Sequence, residues 1–307
     1  MADQEKHVDE LSGVETTGHV WDGLRELNNP LPRWWLYLFY ATIVWSVVYW
    51  VFMPAWPGLT GHTKGIRNHS ERANVELAIA ELDERRRGQM TQLASVNDIQ
   101  SIEDNPQLLQ YAMVSGESLF GDNCATCHGA GGQGFVGYPS LVDDAWLWGG
   151  TFDSIKTTLK HGIRSTDPNT RFNMMQAYGR DGILKGDQIE DLVEYVVSIS
   201  GREANQERVD RGAELFDQQC VSCHDVGGVG MKEVGAPNLT DAIWLYGGDR
   251  KAIRTTIYEG RGGVMPAWSG RFTDEQITAL TVYVHSLGGG ERLEANLGGV
   301  TANNDGD

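Results

Sequence analysis

Two short strings carry the chemistry of this chain: Cys124-Ala125-Thr126-Cys127-His128 and Cys220-Val221-Ser222-Cys223-His224. In each, the two residues between the cysteines put both sulfurs on one side of a helical turn, and the next residue presents an imidazole beside them. That geometry suits thioether attachment of a porphyrin through both sulfurs, with the histidine binding its iron. A zinc site or a dithiol redox centre uses the same CxxC spacing but explains neither the adjoining histidine nor the later methionines. The reading is two covalently bound haem c groups, attached at Cys124, Cys127, Cys220 and Cys223, with His128 and His224 as axial ligands. These are the only four cysteines, so no thiol is left for a disulfide framework.

The sixth ligand decides what such an iron does. Methionine raises the reduction potential and closes the site for electron transfer, whereas an open position admits small molecules. Met265, in Met265-Pro266-Ala267-Trp268, is the candidate after the second motif, and Met174 and Met175 are adjacent after the first. A repeat chooses between them. Gly116-Glu-Ser-Leu-Phe120 matches Gly212-Ala-Glu-Leu-Phe216, Pro139-Ser-Leu141 matches Pro237-Asn-Leu239, and Trp146-Leu-Trp-Gly-Gly150 matches Trp244-Leu-Tyr-Gly-Gly248. Met175-Gln-Ala-Tyr178 then matches Met265-Pro-Ala-Trp268, and Leu192-x-x-Tyr195-Val196 matches Leu280-x-x-Tyr283-Val284, which selects Met175. The first copy has a longer loop, Gly162 to Asn173, just ahead of its methionine. Linear order leaves open whether each methionine serves its own copy or the other; pairing within a copy is the simpler expectation.

Helices must position these groups. Each copy opens with an apolar-periodic segment leading into its motif (Leu108, Leu109, Ala112, Leu119 and Phe120 in the first). Each closes with a stronger amphipathic one: Lys185 to Ile199, with Ile189, Leu192, Val193, Val196 and Val197 on one face, and Thr273 to Leu287, with Ile277, Leu280, Val284 and Leu287. Glu190 and Glu275 suit the opening turns, and Gly201 and Gly288 the ends. The carbonyls of Pro139 and Pro237 are placed to accept from the motif histidines, and Trp146 and Trp244 to wall the cofactor. Gly129 to Gly134 lacks the lysine and serine or threonine of a phosphate loop and reads as close backbone packing at the porphyrin edge. His161 aligns with Glu259, so a ligand role is not expected, and His285 is expected at an exposed helix edge.

Ahead of the repeat, Trp34 to Met53 contains no charge and is long enough as a helix to cross a bilayer core. Trp34, Trp35, Trp50 and Trp56 cluster towards its ends, with Pro32 before it and Pro54 and Pro57 after. Orientation is not given by charge, since Lys6, Arg25 and Arg33 balance Lys64, Arg67 and Arg72. Haem c is attached outside the bacterial cytoplasmic membrane, so the haem-bearing part is expected to be periplasmic and the N-terminus cytoplasmic. The stretch from Ser70 to Gln89 reads as a short solvated helix, followed by a polar loop to Pro106. A net charge of −17 argues against nucleic acid as a partner and suits a basic electron donor.

The repeats, with G-x-x-[LF]-F before CxxCH, Met-Pro-Ala-Trp and the closing Leu-x-x-Tyr-Val, resemble class I cytochrome c domains. More specific is the string from Thr17 through Trp21-Asp22-Gly23-Leu24, Asn28-Asn29-Pro30 and Trp34-Trp35, which resembles the opening of the dihaem subunit III of cbb3-type cytochrome c oxidases, the CcoP or FixP family. The resemblance covers essentially the whole chain and departs at Gln176, where the family pattern has proline. It implies an inner-membrane subunit without a substrate site of its own. Electrons would come from a donor cytochrome c and pass through the monohaem subunit to the oxygen-reducing haem–copper subunit.

The expected architecture is all-α: one N-terminal transmembrane helix and two tandem class I cytochrome c domains. Its parts are a cytoplasmic segment 1–33, the span 34–53, a periplasmic linker 54–106, domains 107–201 and 202–290, and a disordered tail 291–307. Two rivals remain, a stand-alone anchored dihaem cytochrome serving another partner, and a dihaem peroxidase or gas sensor. The second needs an open or displaceable iron ligand.

Overall fold

The structure, a computed structural model, describes residues 7–291. The expected tail therefore lies, from residue 292 on, outside the described residues. The chain divides into two compact units, the first ending at Glu84 and the second starting at Arg85.

The first unit begins with a hairpin the sequence reading did not anticipate: β1 (Thr16–Trp21) antiparallel to β2 (Leu24–Leu27). Asp22-Gly23 turns it, both at positive φ (51° and 86°), the pairing that favours an Asp-Gly hairpin turn. Helix α1 (Arg33–Phe52) follows Pro32 and stops where Met53 becomes extended before Pro54. It has a mean hydropathy of 1.6, and none of its residues is buried among the described residues. A 20-residue apolar cylinder left uncovered by its own protein fits a bilayer and not a soluble core. Trp50 stacks edge-on against Trp56 at 4.7 Å just past the helix end. A small hairpin follows, β3 (Pro57–Gly58) with β4 (Gly61–His62).

Helix α2 (Glu71–Ser95) runs from the first unit into the second and is longer than expected. The anticipated polar loop up to Pro106 is structured instead. Leu93 near the end of α2 and Ile102 on α3 (Ile99–Glu103) are fully buried, packed with Leu108, Ala112, Phe152, Ala279 and Val282. Asp98 caps α3 by accepting from the Ser101 amide, and Lys156 reaches the Val96 carbonyl at 3.1 Å. The two anchors share a three-residue spacing with Met90, Val96 and Ile99, an apolar stripe that the polar-loop expectation passed over.

Each copy of the repeat contributes four helices to the second unit. The first has α4 (Pro106–Asn123), α5 (Ala125–His128), α6 (Phe152–His161) and α7 (Gly186–Ile199). The second has α8 (Gln206–Gln219), α9 (Val221–His224), α10 (Arg250–Glu259) and α11 (Asp274–Ser286). The closing helices fall within a residue of their expected limits. Helices α6 and α10 were not foreseen, although Thr151 and Asp249 cap them and Ile155/Leu159 and Ile253/Ile257 give each an apolar face.

The hydrophobic cores do not follow the repeat boundaries. Phe120 of α4 and Ile155 and Leu159 of α6 pack with Trp268, Ile277, Leu280 and Val284 from the second copy. Phe216 of α8 and Ile253 and Ile257 of α10 pack with Leu184, Ile189, Leu192, Val193 and Val196 from the first. The copies have exchanged their closing helices. Only residues 200–205 separate α7 from α8, so these two fold back on each other as a local helical hairpin.

Side chains at the two crossings enforce the exchange. Gly116 lies where a Cβ would meet the Ala279 carbonyl oxygen at 2.4 Å, and Gly212 where it would meet that of Asp191 at 2.2 Å. Beside the second contact, Asp191, buried in α7, accepts from Arg208 Nη1 at 2.9 Å and from Arg211 Nε and Nη2 at 2.9 and 3.0 Å. The repeat aligns Asp191 with Ala279, Arg208 with Ala112 and Arg211 with Ser115. Pairing within a copy would thus set a buried carboxylate against alanine and serine, without either arginine. Specificity resides in that mismatch.

The Asp191 carboxyl is held below the ordinary range by the Arg211 hydrogen bonds first, and by the charges of Arg211 and Arg208, against the opposing effect of burial. Its folded pKa lies below its unfolded one, so the unfolded chain binds the extra proton. The stabilisation is fully present above the unfolded carboxylate value, about 3.9, and is lost as pH falls through the folded value. Asp191→Asn is expected to flatten that acid limb in denaturant titrations run at a series of pH values. An unchanged limb would count against the triad's role.

Candidate haem sites

Each motif cysteine pair sits on a single helical turn capped by its own first sulfur residue: Cys124 opens α5 and Cys220 opens α9. His128 Nδ1 lies 2.9 Å from the Pro139 carbonyl oxygen and His224 Nδ1 lies 3.1 Å from that of Pro237, as anticipated. A carbonyl can only accept, so Nδ1 carries the proton and Nε2 keeps its lone pair free for a metal. Burial lowers the pKa of both histidines, with the proline carbonyl acting the other way, which favours the neutral, ligating form. Burial also pushes the thiols of Cys124 and Cys220 up to about 11 and about 12. Both stay protonated at neutral pH until they are alkylated.

Each motif faces an apolar cleft. The first, about 700 Å³, is lined by Phe120, Cys124, His128, Trp146, Leu159 and Met265, among others. The second, about 1280 Å³ including its mouth, is lined by Met175, Phe216, Cys220, Cys223, His224 and Trp244. Seven of the eight residues expected to serve the haems line these two clefts, and the eighth, Cys127, is exposed on the turn that carries Cys124 and His128; the methionines are crossed. Met265 shares a cleft with His128, and Met175 shares one with His224. The simpler expectation, each methionine beside the histidine of its own copy, gives way to the helix exchange described above.

The crossing is stitched by backbone pairs related by the repeat. Ile163 and Met265 exchange N–H···O bonds at 2.9 and 3.0 Å, and Met175 and Arg261 do so at 2.9 and 3.1 Å. Gly162 and Gly260, both at positive φ, allow this approach: a Cβ on either would lie 2.4 Å from the carbonyl oxygen of the opposing methionine. Gln176 takes the same place in its turn as Pro266 does in the other, so the departure from the Met-Pro-Ala pattern leaves the backbone arrangement unchanged. Met175 packs against the second core, whereas Met174 is 55% exposed.

Supporting residues fall partly as expected. Trp146 and Trp244 line the clefts, and Trp146 gives its indole N–H to the Gly289 carbonyl at 2.5 Å, so its role is that of a wall. His161 pairs with Asp167 at 3.1 Å and lines neither cleft. His285 corrects its expectation: it is buried, 3.0 Å from the Glu291 carbonyl, because the segment after α11 folds back over it. Sequence reasoning gave no role to Tyr246, although it stands in the repeated Trp244-Leu-Tyr-Gly-Gly248 string, and missed Arg164 and Arg261, which no motif marks; all three line the second cleft.

A porphyrin fits both sites. The second offers two sulfurs on one edge and the first Cys124, with Cys127 exposed on the same helical turn; each has a preset imidazole lone pair on one side, a thioether on the other, and an apolar lining between them. Among the described residues no cluster of three or more His, Cys, Asp or Glu side chains could hold a metal ion directly. Fold and sites together define a dihaem c-type cytochrome preceded by one bilayer-length helix.

Comparison with known proteins narrows the class. Residues 13–60 match the N-terminal domain of cytochrome oxidase-cbb3, FixP; residues 113–200 match cytochrome c; residues 207–284 match cytochrome c oxidase, cbb3-type, subunit III. The cbb3-type cytochrome c oxidase subunit FixP of Bradyrhizobium sp. (strain ORS 278) is 50% identical over 95% of this chain and 100% of its own length. Subunit CcoP of Azospirillum sp. (strain B510) is 51% identical over 94% of this chain and 99% of its own, and that of Cereibacter sphaeroides 49% over 90% and 95%. The chain belongs to the FixP/CcoP family of cbb3-type cytochrome c oxidase subunits, whose two cytochrome c domains bind covalent haem c.

Proposed function

We propose that this chain is the dihaem electron-transfer subunit of a cbb3-type cytochrome c oxidase. It takes electrons from a donor cytochrome and passes them, through the monohaem subunit, to the haem–copper subunit where oxygen is reduced. The observation that carries the proposal is family identity along the whole chain, including the hairpin and apolar helix that hold no haem ligand. A stand-alone carrier would need only a plain anchor there. In this reading Cys124 and Cys127 attach the first haem and Cys220 and Cys223 the second. His128 and Met265 bind the first iron, His224 and Met175 the second. A bound haem supplies a reversible one-electron iron couple. The protein residues fix the imidazoles through Pro139 and Pro237, close the sixth positions and exclude water, which disfavours a peroxidase or gas-sensing role. The α1 helix anchors the chain in the inner membrane, with the N-terminus cytoplasmic and the haem-bearing unit periplasmic, because that is where haem c is attached.

Purification of the tagged full chain from its own membranes is expected to bring down haem b, copper and oxygen-reducing activity. Recovery of the dihaem chain alone, under conditions that keep other respiratory complexes intact, would leave the stand-alone carrier as the better reading. Protease added to spheroplasts should remove the haem-bearing unit and spare the N-terminal hairpin; the reverse pattern would invert the orientation.

A further inference from the structure

The second cleft holds charge that its own walls do not neutralise. Two guanidinium groups line it, Arg164 from the longer loop of the first copy and Arg261 from the end of α10, and no aspartate or glutamate does. Arg164 donates through Nε to the Gly263 carbonyl and through Nη1 to the Asn173 carbonyl, which leaves Nη2 without a protein partner among the described residues. Arg261 stacks on the Tyr246 ring at 4.1 Å and gives Nε and Nη2 to Thr256 Oγ1, which leaves Nη1 in the same position. Neither forms an ion pair with a carboxylate among the described residues. Both are half-buried, and two like charges held beside one apolar cleft would be offset by an anion bound in it.

The first cleft differs. Its lining contains no lysine or arginine, and the residue that aligns with Arg261 is Ile163. Arg171, near that cleft, gives Nη1 and Nη2 to the carbonyls of Trp148 and Ser154, keeps a buried Nε without a partner among the described residues, and is not part of the lining. The paired cations are therefore a feature of the second site alone.

We infer that Arg164 and Arg261 bind the two carboxylates of the porphyrin in the second cleft, one guanidinium from each copy of the repeat. The assignment rests on a haem occupying that cleft. A haem attached through Cys220 and Cys223 carries its propionates on the edge away from the thioethers, and the guanidinium groups supply fork donors for such carboxylates. Their charge also favours the iron with one electron more, so the second haem should have the higher potential of the two. The exchange of closing helices then has an electrical consequence, because a loop of the first copy sets the potential of the second haem.

The test is a redox titration of the full dihaem chain followed optically, with the two waves assigned by proton NMR contacts of each haem to Phe120 or Phe216. Arg261→Gln and Arg164→Gln are each expected to raise the oxidised-to-reduced ratio of the second haem about tenfold at fixed ambient potential, which is about 59 mV for a one-electron couple. The wave of the first haem should stay in place, and Arg261→Lys and Arg164→Lys should restore most of the shift. Phosphate added to the parent protein should move neither wave; a shift would make the ligand a free anion and overturn the assignment. Unmoved waves in both glutamine variants would also overturn it. So would loss in both of the long-wavelength methionine–iron absorption band, since the arginines would then merely hold the methionine loop. Absence of that band from the second haem of the parent protein is a separate result, which would refute the ligand reading itself.

Discussion

Met265→Ala is expected to open the sixth coordination position of the haem carried by Cys124 and Cys127, while the haem on Cys220 and Cys223 stays closed. Met265 follows the second motif in the chain, yet its neighbours are Phe120, Ile155, Leu159 and His128, and its backbone is pinned to Ile163. The thioethers and His128 keep the first haem in place when the methionine is cut back, so the protein should retain both haems by mass and pyridine haemochrome assay. The reduced variant should bind carbon monoxide at one haem of the two, and the potential of that haem should fall. Proton NMR contacts to Phe120 would identify the altered haem as the first. Met175→Ala should produce the mirror result, with contacts to Phe216. If Met265→Ala opened the haem beside Phe216 instead, the crossed arrangement would be refuted.

Gly212→Ala should be strongly destabilising, at about 3 kcal/mol. An added Cβ would lie 2.2 Å from the Asp191 carbonyl oxygen and 2.7 Å from Tyr195 Cβ. Neither is the free end of a flexible side chain. The α7–α8 crossing would have to separate, taking with it the Arg208–Asp191–Arg211 triad and the wall that Leu192 and Val196 give the second cleft. Gly121→Ala is the control: it lies in the last turn of α4 with nothing within 4 Å, and alanine there should add at most about 0.5–1 kcal/mol through helix propensity. Denaturant unfolding of the haem-loaded protein in detergent would compare the two. Equal midpoints would show that the crossing tolerates separation.

The legible parts of this protein were those written in local spacing. Both CxxCH strings, the proline carbonyls behind the histidines, the apolar helix and the closing amphipathic helices are patterns of a few residues, and each appears where expected. The N-terminal hairpin was equally local, and Asp22-Gly23 was its signal, overlooked for want of an alternating strand. Leu93 and Ile102 lay on a weak stripe with Val96 and Ile99, and which of these become core is decided only when Ala112 and Val282 are brought to them. Arg164 and Arg261 were invisible for a related reason: they are 97 residues apart, and nothing about either one alone suggests a shared cleft.

By itself the sequence determined the cofactor chemistry, the two-copy organisation, the membrane-length helix and, through its family, the complex to which such a chain belongs. Only the tertiary structure decided which methionine stands opposite which histidine. A repeat supplies two equivalent partners for every surface, so pattern matching cannot choose between pairing within and across copies. The choice comes from chain connectivity and from a few non-equivalent residues. A six-residue connector folds α7 onto α8, and the pairing of Asp191 with Arg208 and Arg211, where the other crossing has Ala279, Ala112 and Ser115, makes the alternative costly.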